Sequence, residues 1–226
     1  MSRFVAHLVD AWGEYWSGGD PRGAGLIYRS DVRFWNVARG RAGEVLGVDA
    51  VAGERFAHLA RSDRVGVVPG ATVVDDGTVV LEFAVTGTEC AAPSAAPGCT
   101  WWWVDDDGRI AREEWWIDVA AAVPATPEVW GDPLRGDAVD PGAEHRRRLV
   151  DRLAADADAA AGTRTTVHAV MGSGPFVAWT TLTVVDGPGR AGTWPEARLA
   201  VLDHAGRIAA EHRYPLRPWS APRPTR

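Results

Sequence analysis

The stretch from Asp106 to Trp116 reads DDGRIAREEWW, and the fold can be argued outward from it. Asp-Asp-Gly predicts a tight turn, and the residues after it alternate in the manner of a β-strand. A related pattern, HAGRIAAEHRY, returns from His204 to Tyr214. Gly108 and Gly206 are 98 positions apart (206 minus 108). The shared Gly-Arg-Ile-Ala at this spacing indicates an internal repeat.

The repeat extends upstream of these two strands. Residues 76–80 (DGTVV) correspond to residues 173–177 (SGPFV) at an offset of 97, and a helix expected at 49–62 corresponds to a helical segment at 145–161. Near-constant spacing over three elements predicts that the second half of the chain is a shortened copy of the first. Chance resemblance is the alternative, since turns of this kind before strands are common.

The periodicity of the first half predicts helices followed by a run of strands. Phe4, Leu8 and Trp12 begin a helix over 3–16, Asp20 caps a short helix that starts at Pro21, and Val51, Phe56 and Leu59 would form the apolar stripe of the next helix. Strands are predicted at 31–37, 64–75, 78–88, 99–105 and 109–120, with a proline-rich loop at 91–98. Such a segregated order indicates an α+β domain with helices on one face of a sheet.

Composition excludes several classes of function. The chain has 226 residues with 24 basic and 30 acidic side chains, a net charge of −6, which argues against a nucleic-acid or anionic-membrane binder. The N-terminus is interrupted by charges and no apolar run reaches spanning length, so a cytoplasmic protein is expected.

Neither a metal site nor a cofactor is expected from the motifs. The six histidines are scattered without metal-ligand spacing, and no glycine-rich phosphate loop is present. Cys90 and Cys99 flank one loop and could pair, but a reducing compartment favours free thiols.

Three motifs, in their order, resemble the nuclear transport factor 2-like superfamily, in particular its SnoaL-like branch. They are GGDPRGAGLIYRSDVRFWN (18–36), GVDAVAGERF (47–56) and VDDDGRIAREEWWID (104–118). The resemblance implies a strongly curved antiparallel or mixed sheet wrapped around helices, a cystatin-like cone that encloses a conical pocket. Members include ketosteroid isomerase, limonene epoxide hydrolase, scytalone dehydratase and SnoaL-like polyketide cyclases, and also catalytically silent domains.

These arguments divide the chain into four parts. Residues 1–121 are predicted to form the SnoaL-like cone domain, 122–144 a linker, 145–215 a truncated second repeat without the first helices, and 216–226 a disordered tail. We expect the second sheet to pack on the first, with Trp102, Trp115 and Trp179 near that contact. The protein would then be a monomeric pseudo-dimer, and a homodimer is the alternative.

Strand alternation selects the candidate catalytic residues. It puts Arg112, Glu114, Trp116 and Asp118 on one face of the last strand and Glu113 on the other. The first face is predicted to line the pocket, which makes Glu114 the leading acid/base. The alternative is that this face is the charged outer surface of the strand.

Further candidates come from neighbouring strands. Glu82 is the second acid/base candidate, and Arg112 would bind an anion or hold a carboxylate ionised. The predicted substrate-binding residues are Tyr15, Trp16, Asn36, Trp101, Trp103, Trp116 and Asp118. Two positions depart from the family: Trp116 stands where SnoaL-like cyclases carry an acidic residue, and Asn36 stands where ketosteroid isomerase carries its base.

Two functions are compatible with these residues. The leading one is a cofactor-independent enzyme of cyclase, isomerase or hydratase type that acts on a hydrophobic, polyketide-like natural product by general acid/base catalysis in an aromatic pocket. The other is a non-catalytic ligand-binding or protein-interaction module of the same fold. A buried carboxylate in an open pocket favours the enzyme, whereas a cone plugged by its own tryptophans favours the module.

Overall fold

The computed structural model describes residues 3–60, 63–89, 92–117, 123–124, 134, 140–158, 163–185, 192–216 and 219–220. The chain divides into two compact units, Met1–Pro133 and Leu134–Arg226. Within the described residues, no helix combines the length and the apolar character that crossing a membrane requires.

Three α-helices belong to the first unit: α1 (Arg3–Trp16), α2 (Ala24–Ile27) and α3 (Val48–Leu59). A 3₁₀ turn at Pro21–Gly23 precedes α2, and the Asp20 carboxylate caps it by accepting a hydrogen bond from the backbone N–H of Arg22 (2.9 Å), as predicted.

The buried side of α3 differs from the predicted stripe. Val51, Arg55 and His58 are buried, whereas Phe56 is 75% exposed. The three buried positions are spaced by four and three residues, so they form one continuous face, and a polar pair on it replaces the expected apolar stripe.

The first unit contains a seven-stranded mixed sheet. Its strands are β1 (Tyr28–Asn36), β2 (Glu44–Leu46), β3 (Asp63–Asp75), β4 (Thr78–Glu89), β5 (Ala92–Val104), β6 (Ile110–Trp116) and β7 (Val123–Pro124). They lie in the order β2-β1-β6-β5-β4-β3, with β7 paired to β5. Only β1 and β6 pair in parallel among these strands. The predicted α+β class, a curved sheet wrapped around helices, is therefore confirmed.

The loop predicted at 91–98 is wrong for residues 92–98, because they form the first half of β5. This half pairs with β4, where Gly98 lies opposite Phe83. A Cβ atom at Gly98 would come within 2.6 Å of the Ile117 side chain, so glycine permits a close approach. Pairing with β4 thus overrides the weak strand propensity of this Ala/Pro/Gly-rich segment.

The second unit contains one helix and a smaller antiparallel sheet. It consists of α4 (Ala143–Asp158), β8 (Thr163–Met171), β9 (Phe176–Val185), β10 (Gly192–Leu202), β11 (Ile208–Pro215) and β12 (Trp219–Ser220). The strands follow the order β11-β10-β9-β8, and β12 pairs with β10. The disordered tail predicted from residue 216 is therefore wrong at 219–220; residues 221–226 lie outside the described part.

Matching hydrogen bonds occur in the two units at a spacing of 98 residues. The turn before β6 joins Asp105 N to Arg109 O (2.9 Å), and the turn before β11 joins Asp203 N to Arg207 O (2.8 Å). In both turns the aspartate side chain also accepts a hydrogen bond from the arginine N–H, at 2.8 Å and 2.9 Å. Gly108 and Gly206 adopt positive φ angles of 80° and 72°, which explains why both turns use glycine.

Candidate functional site

Aromatic side chains fill the interior of the first unit. Trp12 and Trp16 lie one turn apart on α1, both fully buried, and point toward the sheet. The ring centroids of Trp16 and Trp115 are 4.2 Å apart, and those of Trp12 and Trp102 are 5.3 Å apart. Phe83 lies 5.2 Å from both Trp12 and Trp115. The side of the sheet that faces α1 is thus a close-packed aromatic core.

Glu113 lies within these rings and is fully buried. Five protein donors satisfy it: Oε1 accepts hydrogen bonds from Trp12 Nε1 (2.8 Å), Thr100 Oγ1 (3.0 Å), Trp102 Nε1 (3.1 Å) and Trp115 Nε1 (2.7 Å), and Oε2 accepts one from Tyr28 OH (2.5 Å). A carboxylate offers about four acceptor positions. Oε1 is therefore saturated, and the remaining acceptor position of Oε2 is fully buried, so a ligand cannot reach it in this arrangement.

Burial and hydrogen bonding act on Glu113 in opposite directions. Burial raises the pKa of its carboxyl, and the hydrogen bonds from Tyr28, Trp115, Thr100 and Trp102 partly counter that rise. Burial also raises the pKa of Tyr28 well above its ordinary value, and the negative charge of Glu113 adds to this effect. The Tyr28 hydroxyl consequently keeps its proton at neutral pH and donates a hydrogen bond to Glu113.

Tyr15 lies at the end of α1, where Arg55 holds the helix terminus. The Arg55 guanidinium donates to the backbone oxygens of Tyr15 (2.7 Å) and Gly19 (2.5 Å), and its central carbon lies 4.7 Å from the centroid of the Tyr15 ring. Burial raises the pKa of Tyr15, an effect that the charge of Arg55 opposes. The Tyr15 hydroxyl is buried and has no hydrogen-bond partner in the described part of the chain.

Asn36 and His58 are each neighbours of Trp115 near the ends of β1 and β6. Asn36 is the register partner of Trp115, so the two side chains share the face of the sheet that packs on α1. The His58 ring packs edge-on against Trp115 and Trp16, with centroid distances of 5.6 Å and 5.7 Å. This end of the inner face therefore combines buried aromatic rings with two polar groups.

The prediction that the candidate residues line the inner face of the sheet is wrong for most of them. The register pairs Trp101 with Glu114 and Trp103 with Arg112, while Trp102 pairs with Glu113 inside the core. Six predicted site residues consequently lie on the sheet face opposite α1: Glu82, Trp101, Trp103, Arg112, Glu114 and Trp116. Tyr15, Trp16 and Asn36 lie on the inner face, and Asp118 is outside the described residues.

Trp102 and Trp115 lie on the inner face of the first unit's sheet. Both belong to the core of the first unit. Their indole N–H groups donate to Glu113, which fixes them on the inner face.

The opposite face has its own polar cluster. Arg112 forms an ion pair with Glu114, and its guanidinium carbon lies 4.3 Å from the centroid of the Trp103 ring. Trp116 Nε1 donates to the other oxygen of Glu114 at 3.3 Å. Glu114 is fully buried, so these contacts stabilise a carboxylate that would otherwise be costly to bury.

Glu113, Tyr28 and His58 were missed as interior polar groups. The pair Glu113-Glu114 is followed by two tryptophans, so each face of the strand carries one glutamate and one tryptophan, and the sequence does not show which face is buried. One signal was available: a buried indole N–H needs an acceptor, and Trp12 on the buried stripe of α1 needs one on the inner face of the sheet.

Other features of the described residues offer less chemistry. No three His, Cys, Asp or Glu side chains among them are grouped so as to hold a metal ion. An open groove of about 640 Å³ lies beside Phe4, with Asp76, Asp106 and Asp107 on its rim. Cys99 is a buried free thiol whose pKa is raised by burial, and Cys90 is outside the described part.

The first unit thus combines a curved mixed sheet, helices on its inner face and a polar group at the centre of that face, which defines the α+β cone class. Residues 9–113 match the model of the SnoaL-like domain family. The first unit is a SnoaL-like domain of the nuclear transport factor 2-like superfamily. No curated protein matches the chain.

Several solved structures resemble about half of the chain. A hypothetical protein with a ketosteroid isomerase-like fold from Catenulispora acidiphila, in complex with trimethylamine, is 22% identical over 48% of this chain and 82% of its own, with a TM-score of 0.43. RV0760c from Mycobacterium tuberculosis, in complex with estradiol-17β-hemisuccinate, is 13% identical over 54% and 99%, with a TM-score of 0.45. An M. tuberculosis LEH-like epoxide hydrolase is 18% identical over 52% and 84%, with a TM-score of 0.43. Matches this distant say nothing about ligand or reaction.

Proposed function

We propose that the chain is a non-catalytic small-molecule-binding protein built on a SnoaL-like domain. The observation that carries this proposal is the state of Glu113, which is fully buried and accepts five hydrogen bonds from the protein. A general acid or base must reach a substrate atom directly or through one water. Glu113 is committed to its protein donors, so its role is to hold the indole rings in place.

Binding is assigned to the end of the inner face formed by Asn36, His58 and Trp115. Aromatic rings supply large apolar contact areas with few rotatable bonds, and polar groups beside them orient a ligand. The buried side-chain oxygen of Asn36 supports this assignment, because it has no hydrogen-bond partner in the described part of the chain and a donor group of a ligand would complete it. The expected ligand is a small, flat, mainly apolar molecule.

Calorimetric titration of the full chain with 2-naphthol tests the proposal. We expect saturable binding that His58→Ala weakens and Phe56→Ala leaves unchanged. Both variants remove a ring from α3, but Phe56 is 75% exposed whereas His58 is 7% exposed, so the pair separates loss of the binding surface from a general effect on the helix. The ligand should be recovered chemically unchanged, as judged by NMR. Absence of binding, or equal effects of the two variants, would contradict the proposal.

A second function, a cofactor-independent enzyme of cyclase, isomerase or hydratase type acting on a hydrophobic, polyketide-like substrate, has one observation in its favour. Burial raises the pKa of Glu113, the direction that suits a general acid, and Tyr28 shares its hydrogen bond. Conversion of a bound ligand, lost by about 10²–10⁴-fold in Glu113→Gln while binding persists, would establish the enzyme instead.

The second unit is proposed to be a shortened duplicate of the first. Its strands β8 to β11 follow the same antiparallel order as β3 to β6, and its turn hydrogen bonds recur at the 98-residue spacing. The chain is further proposed to be a monomeric pseudo-dimer. Light scattering at several concentrations tests this, and a concentration-independent mass of one chain is expected.

A further inference from the structure

The open groove of about 640 Å³ lies between the start of α1 and two turns of the first sheet, at Gly77 and Gly108. Its apolar lining consists of Phe4, Val5, Val74, Val79 and Val104. Gly108 packs against the Phe4 ring with no room for a Cβ atom, and the ring remains 49% exposed. The volume falls within the range of about 300–1,000 Å³ that small-molecule pockets occupy.

The polar lining of this groove carries charge of one sign. Among the described residues, four carboxylates and no basic side chain line it: Asp76, Asp105, Asp106 and Asp107. Arg29 lies 3.8 Å from Asp105 but is closer to Asp31, at 2.7 Å. The other three carboxylates form no ion pair with a described residue. No three of the four are grouped to hold a metal ion, as is true throughout the described chain. Their negative charge is therefore spread along the groove.

Two of these carboxylates are not needed to form their turn. Asp105 closes the turn by accepting a hydrogen bond from the backbone N–H of Arg109 (2.8 Å). The matching turn that begins at Asp203 has the same hydrogen bonds, but a histidine and an alanine follow that aspartate. The geometry of the turn thus leaves Asp106 and Asp107 free for another role.

We propose that this groove binds a small organic cation, an apolar body that carries one protonated amine. The body would lie on the exposed side of Phe4 and on the valines, and the ammonium group would reach Asp106 and Asp107. Negative charge beside an apolar surface attracts cations and disfavours anions. This site shares no residue with the proposed inner-face site, so either claim can fail without the other.

Three ligands with one cyclohexyl body separate charge from shape. Cyclohexylmethylamine is cationic at neutral pH, cyclohexylmethanol is neutral and cyclohexanecarboxylate is anionic. Amide chemical shifts of the isotope-labelled full chain report both the affinity and the place of binding. The amine should shift the resonances of Gly77 and Gly108 and, at low salt, bind about tenfold more tightly than the alcohol. In 1 M salt, where the Debye length is about 3 Å, this preference should disappear.

Variants of the full chain assign the preference to the groove. Asp106→Asn combined with Asp107→Asn should lower the affinity for the amine to that for the alcohol, and leave the affinity for the alcohol unchanged. Asp10→Asn combined with Asp49→Asn removes the same charge from exposed positions outside the groove, and should preserve the preference. Phe4→Ala should weaken the binding of both ligands.

Equal affinity for the amine and the alcohol in the unmodified chain overturns the proposal, and this comparison needs no variant. Shifts at amides other than those of Gly77 and Gly108 also overturn it. A preference that the control variant loses as fully as the groove variant does the same, because net charge would then be responsible. Tighter binding of acetyl-Phe-Arg amide than of the amine overturns the small-molecule occupant and indicates a basic protein segment instead.

Discussion

Replacing Tyr28 by phenylalanine removes one hydroxyl group that joins two buried partners. The hydroxyl donates to Glu113 Oε2 at 2.5 Å and accepts from Trp16 Nε1 at 2.9 Å. Tyr28 and Trp16 are at most 1% exposed. Water therefore cannot replace either contact without opening the core.

The magnitude follows from those two contacts. A hydrogen bond to a charged group contributes about 1.5–3 kcal/mol, and a stranded indole N–H adds about 1 kcal/mol or more. Tyr28→Phe should thus lower the free energy of unfolding by about 3 kcal/mol. Tyr15→Phe is the matched control, because the Tyr15 hydroxyl is buried without a described partner. Its removal should leave stability unchanged or raise it by up to about 1 kcal/mol.

Urea unfolding followed by near-ultraviolet circular dichroism measures both variants. Two units can unfold separately, so the data require a test for more than one transition before a two-state fit. Equal destabilisation by Tyr28→Phe and Tyr15→Phe would refute the reasoning, because it would show that the partners of the hydroxyl do not decide its contribution.

Two further predictions concern other parts of the first unit. The folded-state pKa of Glu113 is raised. Its contribution to stability is therefore full below the ordinary carboxyl pKa and declines as pH rises through the raised value. In urea titrations at several pH values, the free energy of unfolding of the unmodified chain should fall over this window relative to that of Glu113→Gln, and a rise would contradict the prediction. Gly108→Ala should destabilise the chain by more than 1 kcal/mol, because φ is 80° and a Cβ would meet the Phe4 ring at 2.3 Å; an unchanged melting temperature would count against the turn geometry.

Local signals were sufficient for the order of elements. The cap at Asp20 and the glycine turn at Gly108 depend on neighbouring residues alone, and the structure has both where the sequence places them. The three- and four-residue spacings of α1 likewise select its buried stripe, which includes Trp12 and Trp16. Such features need no knowledge of the partner strand.

Local signals did not determine which side chains of each strand lie on the inner face of the sheet. A shift of one residue exchanges Glu113 for Glu114 and Trp102 for Trp101 or Trp103, and the residue types barely change. Only the donors of α1 and β1 break this symmetry, since Trp12 and Tyr28 both reach Glu113. These contacts span 101 and 85 positions of sequence, so they become apparent only when the helix and both strands are assembled.

The indole cluster of the first unit has a spectroscopic consequence. Trp12, Trp16, Trp102 and Trp115 have neighbouring centroids 4.2–6.5 Å apart, a range in which their electronic transitions couple. The coupled near-ultraviolet dichroism depends on fixed ring geometry and is lost when side-chain packing loosens. Trp179 belongs to the core of the second unit. The dichroic signal of the cluster therefore follows the packing of the first unit specifically, while the far-ultraviolet signal reports the strands of both.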